Sequence, residues 1–134
     1  MKKSTGTFHH ILLFILLGIL ASSCGNAYAQ GNKPYVRMVK MVVDSLQLDN
    51  FRAALKEHAG DAIKKDPGVL TFYAVYDKDK QNNVTIFEIY ASVAAYESHS
   101  QTPHHLKYIS VVKNMVQSLV LTDVIPIALE TKLK

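Results

Sequence analysis

The sequence contains only one cysteine among its 134 residues, and it has no tryptophan. A single cysteine excludes an internal disulfide framework and a zinc site made of thiolates. The 15 Lys and Arg residues stand against 11 Asp and Glu residues and form no basic stripe. The sequence therefore lacks the charge pattern of a nucleic-acid-binding protein, and no nucleic-acid partner is expected.

Several motifs of common enzyme classes are absent as well. The sequence has no glycine-rich GxGxxG segment, no P-loop, no nucleophile elbow and no CxxC pair. These absences remove the usual signals of nucleotide cofactors, phosphoryl transfer and serine or thiol catalysis. What the sequence does contain is 49% apolar residues. That share is too high for a disordered chain, and the length fits one globular domain.

The first 29 residues have the composition of an export signal. Lys2 and Lys3 provide a positive start, and an apolar run of ten residues follows from Ile11 to Leu20. That run has the length of a signal-peptide core and is short of the ~20 residues that cross a membrane as a helix. The sequence therefore predicts export to the periplasm or the cell envelope.

Two processing routes fit this signal, and an uncleaved anchor is the third alternative. Ala27–Tyr28–Ala29 is a cleavage site that would release a soluble chain. Ala21–Ser22–Ser23–Cys24 is similar to a bacterial lipobox, in which Cys24 would carry lipid and hold the protein on a membrane. A polar linker at 30–34 then leads to one domain at 35–134.

Apolar spacing divides this domain into strands and helices. Ser92 is a predicted helix cap, and Thr102 followed by Pro103 predicts a second helix start. The predicted elements are a strand at 35–44, a helix from Leu48 that stops at Asp66–Pro67–Gly68, strands at 69–76 and 84–91, a helical region in two parts at 92–119, and a strand at 120–128. This βαββαβ order predicts an α+β, ferredoxin-like fold, with a four-stranded antiparallel sheet covered by helices on one face.

The second predicted strand is apolar on both faces. Strict alternation places its residues in two sets: Val69, Tyr73 and Val75 on one face, and Leu70, Phe72, Ala74 and Tyr76 on the other. The helices cover one face of the sheet, and the chain offers no layer for the other. We therefore expect a second copy of the chain there, in a homodimer.

Polar and ionisable residues stand at several positions where an ordinary core would be apolar. The candidate site residues are His58, Glu88, Tyr90, His99, His104, His105 and Tyr108. Glu88 lies in mid-strand with Tyr90 on the same face, so its carboxylate needs a partner. It either pairs with Arg37 or Lys40 on the first strand, or it faces a pocket and orients a histidine or a substrate hydroxyl.

Each histidine has two interpretations. It is either a core residue whose ring nitrogens have hydrogen-bond partners, or a residue of the functional site. Helical spacing places His105 on the centre of the apolar stripe of its helix and His104 on the flank, with Tyr108. Pro103 separates His99 from His104 and His105. The three histidines therefore include no pair at positions i and i+4 of one continuous helix, a common spacing of metal ligands. The sequence therefore predicts no metal site.

These residues together resemble one known family. Phe51–Leu55 in the first helix, Asp66–Leu70 before the second strand, and Glu88-x-Tyr90 followed by His99 and Thr102–Pro103–His104 are similar to the antibiotic biosynthesis monooxygenase family of small ferredoxin-like dimers. The spacing E-x-Y-x8-H-x4-H resembles its quinol monooxygenase and autoinducer-2 degrading branches. The resemblance extends from about residue 35 to residue 127.

The resemblance implies a pocket between helices and sheet in each subunit and a dimer formed through the sheet faces, of the dimeric α/β-barrel type. In the quinol monooxygenase branch the substrate anion itself reduces O2, so no metal or flavin is expected. The protein need only remove a proton, hold the anion and exclude water. The resemblance favours His104 over His105 as the motif histidine, against the helical spacing.

The roles that follow from the resemblance are specific. His104 or His99 is the base, Glu88 the orienting carboxylate and Tyr90 a donor to the substrate oxygen. The expected substrate-binding residues are Tyr90, Tyr108, His58 and His105.

Two other branches of the family are less compatible with the sequence. One isomerises a phosphorylated carbonyl compound by proton transfer, and the export signal and the lack of an arginine cluster count against it. Another degrades haem with a pocket tryptophan, which this sequence lacks. We therefore predict an exported, cofactor-independent monooxygenase of a small quinol-like or polyphenolic molecule. A proton-transfer isomerase and a non-catalytic binding dimer of the envelope are the alternatives.

Overall fold

The computed structural model describes residues 33–132. The predicted export signal at 1–29, its processing routes and Cys24 lie outside the described residues. The elements follow in the order β1 (Tyr35–Val43), α1 (Leu48–Lys65), β2 (Val69–Tyr76), β3 (Asn83–Tyr90), α2 (Val93–Ser100), α3 (Pro103–Val112) and β4 (Val116–Val124). A single turn of 3-10 helix at Ser45–Gln47 precedes α1.

The four strands form one antiparallel sheet in the order β2-β3-β1-β4. β1 and β3 lie in the centre, and the sheet is open, with β2 and β4 as its edges. This order of strands and helices confirms the predicted α+β, ferredoxin-like fold.

The helices pack on one face of the sheet, here called the inner face. Its core consists of residues from two strands and two helices: Val39, Met41, Val43, Phe51, Leu55, Val84, Ile86, Tyr108 and Val112. Burying side chains of this kind contributes roughly 1.5–3 kcal/mol each. The core therefore fixes α1 and α3 against β1 and β3, the frame on which the site is built.

Short-range hydrogen bonds and a proline set three helix ends at the residues that the sequence predicted. Asp66 leaves the helical conformation with φ −108° and ψ 100°, as expected for a residue that precedes proline. The Ser92 hydroxyl accepts a hydrogen bond from the first turn of α2 at 3.1 Å. The Thr102 hydroxyl does the same for α3, and Pro103 takes the first helical position. These three predictions are confirmed.

The predicted boundary between the last helix and the last strand was wrong. The helix was expected to continue to Leu119, but α3 ends at Val112 and β4 begins at Val116. Apolar residues keep the helical spacing across this boundary, so the periodicity hid it. The chain turns after Val112, whose carbonyl accepts from Met115 N at 2.8 Å, and β4 then pairs with β1.

The predicted alternation along β2 was also wrong at its start. The register shifts between Val69 and Thr71, so Leu70 is an extra residue opposite β3. Val69 therefore lies on the inner face, where it packs with Ala62 and Tyr90. The bulge returns the strand to the expected alternation from Thr71 onward.

The opposite side of the sheet, here called the outer face, is apolar and partly open. Tyr73 is 48% exposed and Val75 is 60% exposed. The segment after β4 lies over part of this face, because Ala128 and Leu129 line one depression together with Tyr73.

Gly68 sits directly beneath α2. A Cβ placed on it would lie 2.6 Å from the Cβ of Ala95 and 3.4 Å from its Cα. The absence of a side chain at Gly68 therefore allows α2 to pack against the start of β2, which brings the far end of α2 towards α1.

Candidate active site

A cavity of about 480 Å³ lies between the inner face and the helices. Its volume is within the range of ~300–1,000 Å³ that is usual for small-molecule sites. Its polar and aromatic lining residues include Arg37, Glu88, Tyr90 and Tyr96 on one side and His58, His105 and Tyr108 on the other. Aliphatic side chains of β1, β4 and α3 complete the walls. The cavity therefore suits a small, largely apolar molecule with a few polar groups.

Four histidine rings lie close together among the helices, and two of them, His58 and His105, line this cavity. Measured from the ring centroid of His58, the distances are 5.2 Å to His99, 5.7 Å to His104 and 5.2 Å to His105. His58 comes from α1, His99 from the end of α2, and the other two from the first turn of α3. The break between α2 and α3 turns the chain so that these rings face α1.

Asp66 holds two of these histidines with a single carboxylate oxygen. Its Oδ2 lies 2.6 Å from Nδ1 of His99 and 2.9 Å from Nε2 of His104. The ring N–H groups donate, because an ionised carboxylate only accepts. From the sequence, Asp66 was expected to end a helix and was part of the family resemblance, while the orienting role was expected of Glu88. In the structure, Asp66 is a carboxylate within hydrogen-bond distance of both His99 and His104.

A chain of hydrogen bonds runs from the cavity towards the surface. Nδ1 of His105, which lines the cavity, lies 3.2 Å from Nε2 of His99. His99 contacts Asp66, and Asp66 contacts His104. His104 lines a second, smaller depression on the helical surface. The path therefore joins the buried cavity to the exterior through four side chains.

Burial determines the charge of the cavity-facing histidines. Desolvation, together with the neighbouring histidines, lowers the pKa of His58 to about 3. The same causes lower the pKa of His105 to about 4. Both imidazoles are therefore neutral near pH 7, and each has one nitrogen lone pair to offer.

Glu88 and Tyr90 form the sheet side of the cavity. Glu88 is 8% exposed, and burial raises its pKa to about 7, while a hydrogen bond with Tyr90 opposes that rise. Burial, with the nearby Glu88 carboxylate, also raises the pKa of the Tyr90 hydroxyl. Glu88 is therefore a carboxyl group that binds a proton at higher pH than an ordinary glutamate does.

The expected ionic partners of Glu88 are occupied or distant. Arg37 lies opposite Glu88 in the strand register, but its guanidinium donates to Asp123 at 3.0 Å and to Tyr35 at 2.5 Å. It also contacts the hydroxyl of Tyr96. Among residues 33–132, no salt bridge joins Glu88 to Arg37 or to Lys40.

Tyr108 connects the histidine cluster to the cavity. Its ring stacks on His58 with centroids 4.6 Å apart and an interplanar angle of 6°. Its hydroxyl is buried and has no hydrogen-bond partner within the described part of the chain. A buried hydroxyl without a partner costs roughly 1–3 kcal/mol, so a bound molecule that pairs with it would recover that free energy.

The structure thus places five of the seven predicted site residues on one cavity, and hydrogen bonds join the other two, His99 and His104, to that wall. His105 lines the cavity itself, as the helical spacing predicted, whereas His104 lies behind it at Asp66. Asp66 is the residue that sequence reasoning missed. Its position at the helix end, directly before the Pro–Gly turn, was the available signal.

Comparisons with known proteins find similar sequences and structures. The family profile described as antibiotic biosynthesis monooxygenase matches residues 34–111. None of the curated proteins matches the chain. A solved structure of a candidate antibiotic biosynthesis monooxygenase from Bacteroides thetaiotaomicron is 42% identical, with a TM-score of 0.73. That match covers 76% of this chain and 97% of the other.

Two further solved structures share the fold. A candidate monooxygenase from Lactobacillus acidophilus is 26% identical over 70% of this chain and 45% of its own, with a TM-score of 0.69. A candidate antibiotic biosynthesis monooxygenase from Nitrosomonas europaea is 18% identical over 72% of this chain and 92% of its own, with a TM-score of 0.67. Between residues 33 and 132, none of the helices combines the length and apolar composition that crossing a membrane requires.

Proposed function

This chain belongs to the antibiotic biosynthesis monooxygenase family, and we propose that it oxygenates a small quinol-like or polyphenolic molecule without a cofactor. The substrate loses a proton in the cavity, and the anion reacts directly with O2. One oxygen atom enters the ring, and the other leaves as water with two hydrogens of the quinol, so the product is a hydroxyquinone. The substrate supplies all the electrons, and no external reductant is needed.

The observation that carries this proposal is the hydrogen-bonded path from His105 through His99 to Asp66. A weak acid in the cavity gives its proton to His105, whose own Nδ1 proton moves to Nε2 of His99 over 3.2 Å. The Asp66 carboxylate, 2.6 Å from His99, stabilises the imidazolium that results. His104 shares that carboxylate near the surface and provides the exit for the proton.

The rest of the cavity supports a planar phenolic substrate. Its walls are mostly apolar, which excludes water and strengthens each polar contact inside. The hydroxyl of Tyr108 has no partner within residues 33–132, and the carboxyl of Glu88 can donate or accept according to its protonation. We assign Tyr90, Tyr108 and Glu88 to the recognition of the substrate oxygens.

We also propose a homodimer through the outer face and export through residues 1–29. The exposed apolar residues of β2 support the first proposal, and the charged start and apolar run of the first 29 residues support the second. Mass spectrometry of the N-terminus distinguishes the processing routes. Release after Ala29 gives a chain that starts at Gln30, and lipoprotein processing gives an acylated Cys24.

Oxygen consumption by metal-stripped protein, measured against a panel of quinols and polyphenols, tests the function. We expect substrate-dependent uptake above the autoxidation rate, with loss of about 10²–10⁴-fold in His99→Ala and His104→Ala if these groups carry the proton. Glu97→Gln, an exposed change on the same helix as His99, is the matched control. Conversion of a substrate under anaerobic conditions would instead identify a proton-transfer isomerase, and saturable binding without turnover a binding dimer.

A further inference from the structure

We propose that His58, His99 and His105 together bind one divalent transition-metal ion on the wall of the cavity. This site departs from the sequence-based prediction that the chain has no metal site. That prediction considered only the histidines around Pro103, whereas α1 supplies His58 as the third ligand. The inference goes beyond the proposed function and does not depend on it.

The spacing of the three rings fits a single ion. One ring nitrogen from each histidine lies within 4.8 Å of the other two. The ring centroids are 5.2 Å apart for His58 and His99, 5.2 Å for His58 and His105, and 4.9 Å for His99 and His105. Two imidazole nitrogens on one tetrahedral zinc ion, with bonds of about 2.0–2.1 Å, lie about 3.3 Å apart. The observed distance between His99 Nε2 and His105 Nδ1 is 3.2 Å.

His58 carries an uncommitted nitrogen. The side chain is 3% exposed, and its Nδ1 has no hydrogen-bond partner among the described residues. Buried polar nitrogens nearly always have partners, so each exception requires an explanation. A ligand among the three rings is such an explanation, because within residues 33–132 His58 contacts the other two rings and forms no hydrogen bond or ion pair with a carboxylate.

Asp66 prepares His99 as a ligand. Because Nδ1 of His99 donates to the carboxylate at 2.6 Å, its lone pair is on Nε2, the atom that faces His105. A carboxylate behind a ligating histidine fixes the tautomer and raises the basicity of the ligand nitrogen. Asp66 is thus the carboxylate partner that a metal-binding histidine ordinarily has on its other ring nitrogen.

A neighbouring group of Asp66, His99 and His104 is also close enough to hold an ion. Its three donors already satisfy one another, with contacts of 2.6 and 2.9 Å to the same carboxylate oxygen. No donor there is left without a partner. The group with His58 and His105 is therefore the better candidate.

The donor set defines the kind of ion. Three neutral imidazoles without thiolate or carboxylate suit zinc, copper or nickel rather than magnesium or calcium. Since His58 and His105 line the cavity, the remaining coordination position faces the space that a small molecule would occupy. An ion bound there takes the lone pairs that proton transfer requires, so the metal-loaded protein is inactive in the proposed oxygenation.

Titration of the metal-stripped protein with Zn²⁺ by calorimetry, and with Co²⁺ by visible absorption, tests this site without any substrate. We expect one ion per chain and the intense visible bands of tetrahedral cobalt. His58→Gln and His105→Gln should each weaken binding at least 100-fold, and Asp66→Asn should weaken it by about 10–100-fold. All variants carry the same N-terminal residues, so His9 and His10 contribute equally to each titration.

His104→Gln is the matched control, because His104 lies beside the cluster but outside the proposed ligand set. Its affinity should stay within about threefold of the parent. Three results would overturn the proposal: only millimolar binding in the parent, unchanged binding in both folded variants, or equal loss in His104→Gln. Circular dichroism establishes folding, and His105→Gln, at a less buried position than His58, keeps the test valid if His58→Gln unfolds.

Discussion

The carboxylate of Asp66 lies 2.6 Å from Nδ1 of His99, although 33 positions separate the two residues in the chain. The contact joins the end of α1 to the end of α2. It determines that Nδ1 of His99 carries the proton. Nε2 is therefore the nitrogen that accepts a hydrogen bond.

Replacement of Asp66 by asparagine should abolish this arrangement while it preserves the size of the side chain. The amide has an NH2 group that donates, so His99 is no longer held in the Nδ1–H form. We expect oxygen uptake to fall by about 10²–10⁴-fold. Nitrogen-15 chemical shifts of the His99 ring, measured without substrate, should show the loss of the Nδ1–H tautomer. Asp79→Asn, in an exposed turn, is the control, and unchanged activity in Asp66→Asn would refute the assigned role.

Replacement of Glu88 by glutamine should change how stability depends on pH. The folded pKa of about 7 lies above the ordinary value of 4.5, so the folded state binds more protons than the unfolded state between these values. In the parent, protonated Glu88 contributes up to about 3 kcal/mol to the free energy of unfolding, and this contribution is lost as pH rises through this window. Glutamine does not ionise, so the free energy of unfolding of the variant should rise relative to that of the parent by about 2.5 kcal/mol between pH 5 and pH 8.

Urea denaturation of both proteins at half-unit pH intervals measures this difference. The lowered pKa values of His58 and His105 act in the opposite direction, because their contribution is lost as pH falls below about 6.5. These histidines are present in both proteins, so their effect cancels in the difference. Parallel stability curves would show that Glu88 titrates normally.

Gly68→Ala should push α2 away from β2. The added Cβ would lie 2.6 Å from the Cβ of Ala95, and overpacking of this kind costs about 1–3 kcal/mol. In the double variant with Ala95→Gly the opposing Cβ is absent. We expect the double variant to be at least about 1 kcal/mol more stable than the sum of the two single changes, as measured by urea denaturation. Simple additivity would contradict the contact.

Val75→Lys should dissociate the proposed homodimer. Val75 is 60% exposed on the outer face, and a lysine buried there without a partner costs several kcal/mol. Analytical ultracentrifugation should show a dimer for the parent and a monomer for this variant. Leu106→Lys is the matched control, since Leu106 is 53% exposed on α3. A parent that is monomeric at all concentrations would exclude this use of the outer face.

The parts of the fold that could be predicted from sequence are those that local chemistry controls. Ser92 caps α2 and Thr102 caps α3 through hydrogen bonds within three residues, and Asp66 leaves the helix because proline follows. These signals lie within a single turn and need no knowledge of the rest of the chain. The α+β order followed from these signals together with the apolar spacing.

The remaining boundaries depend on partners that are distant in sequence. Val116 and Leu119 continue the helical spacing of α3, yet they belong to β4 because β1 is there to pair with them. Nothing local distinguishes the two outcomes. The bulge in β2 likewise depends on the register with β3.

The residues of the candidate site also fall into those that could be predicted from the sequence and those that could not. Sequence reasoning selected His99 and His104 from the family resemblance, in which they follow Glu88-x-Tyr90 at fixed spacing, although helical spacing placed His105 on the centre of the apolar stripe. It did not select Asp66, since an acidic residue before a Pro–Gly turn already has a structural explanation. It named His58 as an expected substrate-binding residue but did not link it to the other histidines, because only the packing of α1 against α3 brings that ring to the others.

The bulge at the start of β2 marks a position where the strand can change in length. Val69 already pairs with Tyr90, and Thr71 already pairs with Ile89, so Leu70 has no counterpart on β3. A deletion at this position would restore an unbroken strand and leave every later side chain on its present face. Within this strand, Leu70 is thus the place where an insertion or deletion can be accommodated without moving the wall of the cavity.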